Sequence, residues 1–340
     1  MVKNKEIQEN REISDIFREL RQGAKPQKCI LCGKPQSSFC LSHSSPRFVI
    51  KNIAVDGKVK TFHAITHPKS NEAEVGIAKA MTFQYICRDC DSKYFSNYEN
   101  EETLSKESIG RGALAEIALK NHLLMRYKWT IDEQFTKYSK EHKMMAFGID
   151  VKNDMDRLTL RDNLYDISVA QKVLKSYKAT SFHIIWHAFL DWQVPVCIQT
   201  AMTMREDING GMINDVFDLS EENRTQSIHL CIFPLKEKSL ILLFYHNGDM
   251  KYRYFEEQFR KMDFDQKLLF INYLMFAYTE HVLLSPNIPK KYFCNEKLKQ
   301  LCNENTVTKV KDYWNPPKKI LPHQIPNFLT KDFAEEVKSR

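Results

Sequence analysis

The sequence predicts an α+β fold: an N-terminal zinc module, then helices, then an antiparallel β-meander packed on helices. Three observations predict it. Two Cys-x-x-Cys pairs, Cys29/Cys32 and Cys87/Cys90, bracket short β-prone pieces. Apolar residues then recur at three- and four-residue spacing from Asp91 to about Lys143, the period of a helix with one buried face. Beyond them, 194–204, 227–235 and 239–247 are rich in β-branched and aliphatic residues, which is strand chemistry.

The chain of 340 residues has room for one large domain or two ordinary ones. With 43% hydrophobic and 27% charged residues it reads as globular. The most apolar stretch, "LLFINYLMFAYTEHVLL" at 268–284, contains Asn272, Glu280 and His281, so a buried helix suits it better than a membrane span. The first residues contain no apolar core of a secretory signal. Nine cysteines, an odd number, then predict a reducing, cytoplasmic setting where paired knuckles bind metal rather than form disulfides. A net charge of +7 is compatible with a polyanionic partner without demanding one.

In order, residues 1–24 read as a polar helix through Ile7, Ile13, Ile16, Phe17 and Leu20, ended by Gly23 and Pro26. Residues 25–105 form the zinc module, with "RFVIKNIAV", "KVKTFHAI" and "AMTFQYIC" as β-prone pieces. Residues 106–340 form an α+β domain. In it, "ALAEIALKNHLLMRYKW" is helical, and a second helix is expected from about Ile167 to Trp192. The runs at 227–235 and 239–247 form a hairpin across "KEK", "NGD" at 247–249 is a further turn, and 255–284 returns to helix. "NPPKKILPHQIPNF", with four prolines, reads as an extended arm over the surface. It ends a basic stretch, 290–319, carrying Lys290, Lys291, Lys297, Lys299, Lys309, Lys311, Lys318 and Lys319, which suits a solvated face or contact with nucleic-acid phosphates.

The chemistry concentrates in the zinc module. Cys29, Cys32, Cys87 and Cys90 supply four thiolates for a tetrahedral zinc ion. Gly33 follows the first knuckle, where the backbone must turn tightly, and a helix-forming run follows the second. Knuckle, β-hairpin, then knuckle opening a helix is the treble-clef arrangement. Cys40 is a rival ligand, but it reads as a small core residue in a strand.

Between the knuckles stands "LSHSSPRF". Here the chain resembles the HNH (His-Me finger, ββα-metal) nucleases built on a zinc-bound treble clef. Their pattern is Cys-x-x-Cys, Asp-His-x-x-Pro on the hairpin, an Asn, then Cys-x-x-Cys-Asn opening the helix. The resemblance implies that His43 is the general base that activates water, with Pro46 in the matching place. It also implies that Asp91, directly after Cys90, is a ligand to a catalytic Mg²⁺ or Mn²⁺, a hard cation served by oxygen. Ser42 stands where that family has a metal-binding Asp, and Thr82 falls roughly where its base-orienting Asn would be. The chain is more closely similar to a bacterial family reading CxxC, LSHxxPxF, then CxxC[DE]xxFSxxE. That family shares the Ser before the histidine and a Glu at the place of Glu99, which makes Glu99 a second candidate carboxylate. On one continuous helix Glu99 would lie about 12 Å from Asp91, too far to share an ion easily.

The expected partner is therefore DNA or RNA, with self-association open. Two other readings stay open: a zinc module that binds without cutting, and a structural zinc staple in a protein whose function lies beyond residue 150. "HAITH" and "FHIIWHAFL" each space two histidines by four, His63/His67 on a β-prone piece and His183/His187 on the expected helix. Chance and core packing account for them better than a metal does.

Overall fold

The computed structural model describes residues 15–70, 73–142, 149–176, 181–305 and 319–339. It opens with helix α1 (15–23), whose Leu20 is buried. The earlier part of the helix expected over 1–24 lies outside the described residues.

The knuckle region follows. Strand β1 (Ser42–His43) leads into helix α2 (Arg47–Lys51), strand β2 (Lys58–Thr61), helix α3 (His63–Thr66), and strands β3 (Glu74–Gly76) and β4 (Thr82–Phe83). Helix α4 (Arg88–Phe95) starts on the second knuckle. Two of the β-prone pieces are corrected: "RFVIK" and "HAIT" are short helices. Pro46, with φ −55° and ψ 131°, stands as N-cap of the first, a position it suits because it needs no backbone N–H there. One turn of helix suffices to bury Val49 and Ile50.

Helix α5 (Glu101–Leu104) and the 31-residue α6 (Arg111–Glu141) fulfil the helical expectation from Asp91 onward. Helix α7 (Ile149–Lys175) packs along α6. The helix expected over 167–192 is wrong in its second half. "FHIIWHAFL" is strand β5 (Phe182–Leu190), paired antiparallel at the sheet edge. Residues four apart share a face in a strand as well as in a helix, so the spacing alone could not decide. The density of Ile, Phe and Trp favoured the strand.

Strands β6 (Val196–Met202), β7 (Ile228–Pro234) and β8 (Ser239–His246) realise the expected meander. The "KEK" turn closes with Leu235 N donating to Lys238 O at 2.8 Å. Helices α8 (Arg253–Arg260) and α9 (Phe264–Ala277) follow, and then the chain departs from expectation again: Val282–Leu284 is strand β9 rather than the end of a helix. That strand sits between β2 and β6, giving the order β3-β2-β9-β6-β7-β8-β5. The seven-stranded antiparallel sheet thus takes two of its strands from the knuckle region.

Both faces of the sheet are covered, which is why β6 and β7 are buried at every residue. Side chains alternate between two cores. Ile241, Leu243 and Tyr245 face one that includes α8, α9 and the C-terminal segment; Leu240, Leu242 and Phe244 face the other, shared with α6 and the knuckle region. After α10 (Lys290–Phe293) and α11 (Glu296–Asn305), residues 306–318 of the basic stretch lie outside the described residues. The rest of the proline-rich arm is no surface strap. Ile320, Ile325, Phe328 and Leu329 are buried, Asn272 of α9 bonds Pro326 O and Phe328 N, and the chain ends in helix α12 (Lys331–Lys338). No described helix is long and apolar enough to cross a membrane.

Candidate functional site

The two knuckles meet at one point. In the first, Gly33 N donates to Cys29 O at 2.8 Å, with Gly33 at φ +70°, the left-handed region where a Cβ would be strained. In the second, Cys87 stands as N-cap of α4 and its N–H donates to Cys29 Sγ at 3.3 Å. The Sγ atoms of Cys29, Cys32, Cys87 and Cys90 all lie within 4.8 Å of one another, Cys32 and Cys87 being 3.9 Å apart. Tetrahedral metal–sulfur bonds of about 2.3 Å put sulfurs about 3.8 Å apart, so the cluster fits a structural metal such as zinc. Among the described residues no other group of three or more His, Cys, Asp or Glu converges in this way.

The thiols themselves call for a cation. Burial raises Cys29, but N–H donors from Cys87, Cys32 and Leu31 outweigh it and bring this thiol down to about 7. Burial pushes Cys87 and Cys90 up; the neighbouring sulfurs add to this at Cys90, while at Cys87 bonds from Cys90 oppose it and Cys29 reinforces it. One thiolate therefore forms readily and the next resist, until a metal supplies positive charge. Cys40 stays outside the cluster. It is half-buried outside any strand, and its Sγ donates to Asp91 Oδ2 at 3.5 Å; burial and the Asp91 charge push it up to about 11.

Above this cluster the β1–β4 pair, two strands joined by a long excursion rather than a hairpin, meets α4. Ser42 and His43 pair with Phe83 and Thr82, so Thr82 is directly opposite His43. Its hydroxyl donates to Lys79 O rather than to the histidine. Ser42 is buried and its Oγ donates to Asp91 Oδ1 at 2.6 Å. His43 Nε2 lies 2.9 Å from Ile77 O. A carbonyl only accepts, so Nε2 carries the proton and Nδ1 keeps its lone pair. Burial lowers the pKa of His43, the Ile77 bond opposes that, and the charges of Arg47 and Lys120 lower it further. The ring is neutral at neutral pH.

Glu99 does not lie on the same helix as Asp91. Helix α4 ends at Phe95 and the chain turns, with Glu99 N donating to Phe95 O at 3.2 Å. The turn brings the two carboxylates to a single point, and that point is occupied by a residue the motif reading missed. Lys120, from the middle of α6, lies with its Nζ 3.4 Å from Asp91 Oδ1, in contact with Glu99 Oε1, and 4.3 Å from the centroid of the Phe95 ring. Its side chain is 1% exposed, against 20% for Asp91 and 33% for Glu99. One turn earlier, Glu116 Oε2 accepts from Tyr98 N at 2.8 Å. Residues 116 and 120 thus clamp the segment that carries Glu99. The signal was a lysine inside the apolar run "ALAEIALKNHLL", where a charge needs a buried partner.

The carboxylate pair can be tested against the Mg²⁺ or Mn²⁺ that the resemblance implies. A divalent ion bound to Asp91 Oδ1 at about 2.1 Å would stand no more than about 5.5 Å from the ammonium, a repulsion of about 6 kcal/mol at an effective dielectric of about 20. The donors are present, but with Lys120 among them they do not fit such an ion.

The other histidine pairs join no cluster. His63 and His67 lie at α3 with ring centroids 5.8 Å apart, and His67 Nδ1 meets Thr66 Oγ1. On β5, His183 Nε2 lies 2.9 Å from Glu256 Oε1, while the His187 ring packs on Phe189. A cavity of about 570 Å³ around Trp129, Asn163 and Tyr273 contains none of the site residues.

Compared with protein-family models, with curated proteins and with solved structures, the chain matches none.

Proposed function

We propose that the chain acts on nucleic acid as an HNH-like phosphodiesterase, its treble-clef knuckles closed by a structural zinc ion and His43 serving as general base. The observation that carries this reading is the state of His43. Its tautomer is fixed by the Ile77 carbonyl and its ring kept neutral by burial, so Nδ1 is free to take a proton from water. The water oxygen then bonds to phosphorus as the bond from phosphorus to the leaving oxygen breaks, and His43 retains the proton it has taken. Arg47, exposed at the start of α2 and close enough to act on the charge of His43, suits contact with a phosphate. A zinc ion held by Cys29, Cys32, Cys87 and Cys90 would tie the first knuckle to the start of α4; no step of the reaction passes through it.

The test is cleavage of supercoiled plasmid and of single-stranded RNA by wild type and His43→Ala, with and without added Mg²⁺ or Mn²⁺, zinc content being measured in each. Cutting that His43→Ala abolishes, with zinc retained, supports the reading; cutting that survives the substitution sinks it.

A second reading is favoured by one observation. The hydroxyl of Ser42, rather than a carboxylate, meets Asp91, and a lysine fills the acidic pair. A zinc module with that arrangement suits binding without cutting. Retained nucleic-acid affinity with no cleavage of either substrate would decide for it.

A further inference from the structure

We propose that Lys120 is the resident cation of this site: its ammonium permanently fills the acceptor point formed by Asp91 and Glu99, so that His43 works beside a lysine and not beside a divalent ion. The proposal rests on the phosphodiesterase reading for its catalytic half only.

The argument starts from placement. Two carboxylates from separate turns of chain meet on one atom, Lys120 Nζ. Such convergence costs electrostatic energy unless a cation compensates it, and a divalent ion recruited from solvent is one cation that two carboxylates can take. Here the compensation is covalently built in. The lysine cannot withdraw into solvent, because its side chain is 1% exposed and its Nζ lies over the rings of Phe95 and Tyr98, 4.3 and 5.8 Å from their centroids. Helix α6 holds the stem rigidly, with Ile117, Leu119 and Leu123 fully buried around it. Asp91 is held in place on its other side, where it accepts from Ser42 and Cys40.

A consequence concerns position 42. A second carboxylate there would add charge to a pair that one lysine already neutralises in part, whereas a hydroxyl can donate to Asp91. Ser42 and Lys120 form a matched set, the serine giving the hydrogen bond and the lysine the charge. Lys120 is a positioning residue in this scheme: it holds Asp91 and Glu99 and acts on the charge of His43 without touching substrate.

The deciding measurement is Mn²⁺ uptake by the zinc-loaded full chain, read by electron paramagnetic resonance in resin-treated buffer. Wild type, Asp91→Asn, Lys120→Met, Lys120→Gln and Lys120→Met/Asp91→Asn are compared, with folding checked by circular dichroism. We expect no Mn²⁺ on wild type, one ion per chain on a folded Lys120→Met or Lys120→Gln with at least tenfold higher affinity, and loss of that ion in the double variant. Mn²⁺ on wild type that Asp91→Asn removes overturns the proposal, and so does a folded Lys120 variant that gains no ion. Wild-type cleavage that needs added Mg²⁺ overturns it too, while leaving the phosphodiesterase reading intact. If the Mn²⁺ pattern holds and no condition gives cleavage, the phosphodiesterase reading falls and the assignment of Lys120 stands.

Discussion

Replacing Cys87 by serine perturbs the site at the residue with two duties, since Cys87 offers one of the four thiolates and also begins α4. Apparent free energies for structural zinc sites are about 10–16 kcal/mol, or about 2.5–4 kcal/mol per ligand when shared among four. That corresponds to a loss of affinity of about 10²–10³-fold. Position 87 is buried, 5% exposed, and its N–H will still reach Cys29, so the backbone has reason to stay in place when the sulfur leaves. The assay is competition for zinc against a chromophoric chelator, with thermal unfolding on the same samples. Wild type should hold one zinc ion per chain, and Cys87→Ser should give it up at a far lower chelator concentration and unfold at a lower temperature. Cys40→Ser, outside the cluster, should keep wild-type affinity. The reasoning is refuted if wild type carries no zinc, or if Cys40→Ser loses it as readily as Cys87→Ser.

Three further outcomes are expected. Asn272→Leu removes both bonds that hold the C-terminal segment, stranding Pro326 O and Phe328 N, and should cost about 2–4 kcal/mol in urea unfolding; a change below about 1 kcal/mol would contradict it. His122 is lowered to about 3, and His229 and His281 well below their ordinary value, in each case by burial first. Their folded pKa lies below the unfolded 6.5, so the stability they contribute is present above 6.5 and drains away as pH falls. The unfolding free energy from urea titrations should therefore drop steeply between pH 7 and 5, by up to about 4 kcal/mol per pH unit for three protons, and His281→Asn should flatten the slope. Asp166 has the opposite sign. Burial, then the Asp249 charge, push it up to about 8 against the pull of Arg224, so its contribution is full below the unfolded 3.8 and lost as pH rises toward 8. Asp166→Asn should raise the melting temperature more at pH 8 than at pH 5; equal shifts would refute this.

Legibility in the sequence followed the range of the interactions. The four cysteines could be read because each knuckle is a local turn with a metal ligand at either end, and Gly33 marked the positive φ that closes the first. Strands β6, β7 and β8 could be read because an antiparallel sheet covered on both faces leaves nearly unbroken apolar runs. Strand β9 could not. Its three residues continue the apolar helix before them, and only their seat between β2 and β6 makes them a strand. The same holds for "RFVIK", whose β-branched residues fit one turn of helix once Pro46 starts it. At the site, Ser42, His43 and Asp91 were within reach of a motif. Lys120 was not, because no short motif spans from the knuckles to the middle of α6.

That last absence bears on what the unit of function is. Strand β1 supplies Ser42 and His43, the turn after α4 supplies Glu99, and α6 supplies Lys120 and Glu116. Helix α6 in turn packs on β6, and β6 hydrogen-bonds through β9 to β2 of the knuckle region. A zinc module cut from the chain at residue 105 would retain its four thiols but expose Asp91 and Glu99 as an uncompensated pair, and it would lose the core it shares with the sheet. The charge balance of the site is therefore a property of the whole fold. Any chemistry at His43 depends on α6 and the sheet it packs on, which hold no recognisable motif of their own and yet place the buried cation between Asp91 and Glu99.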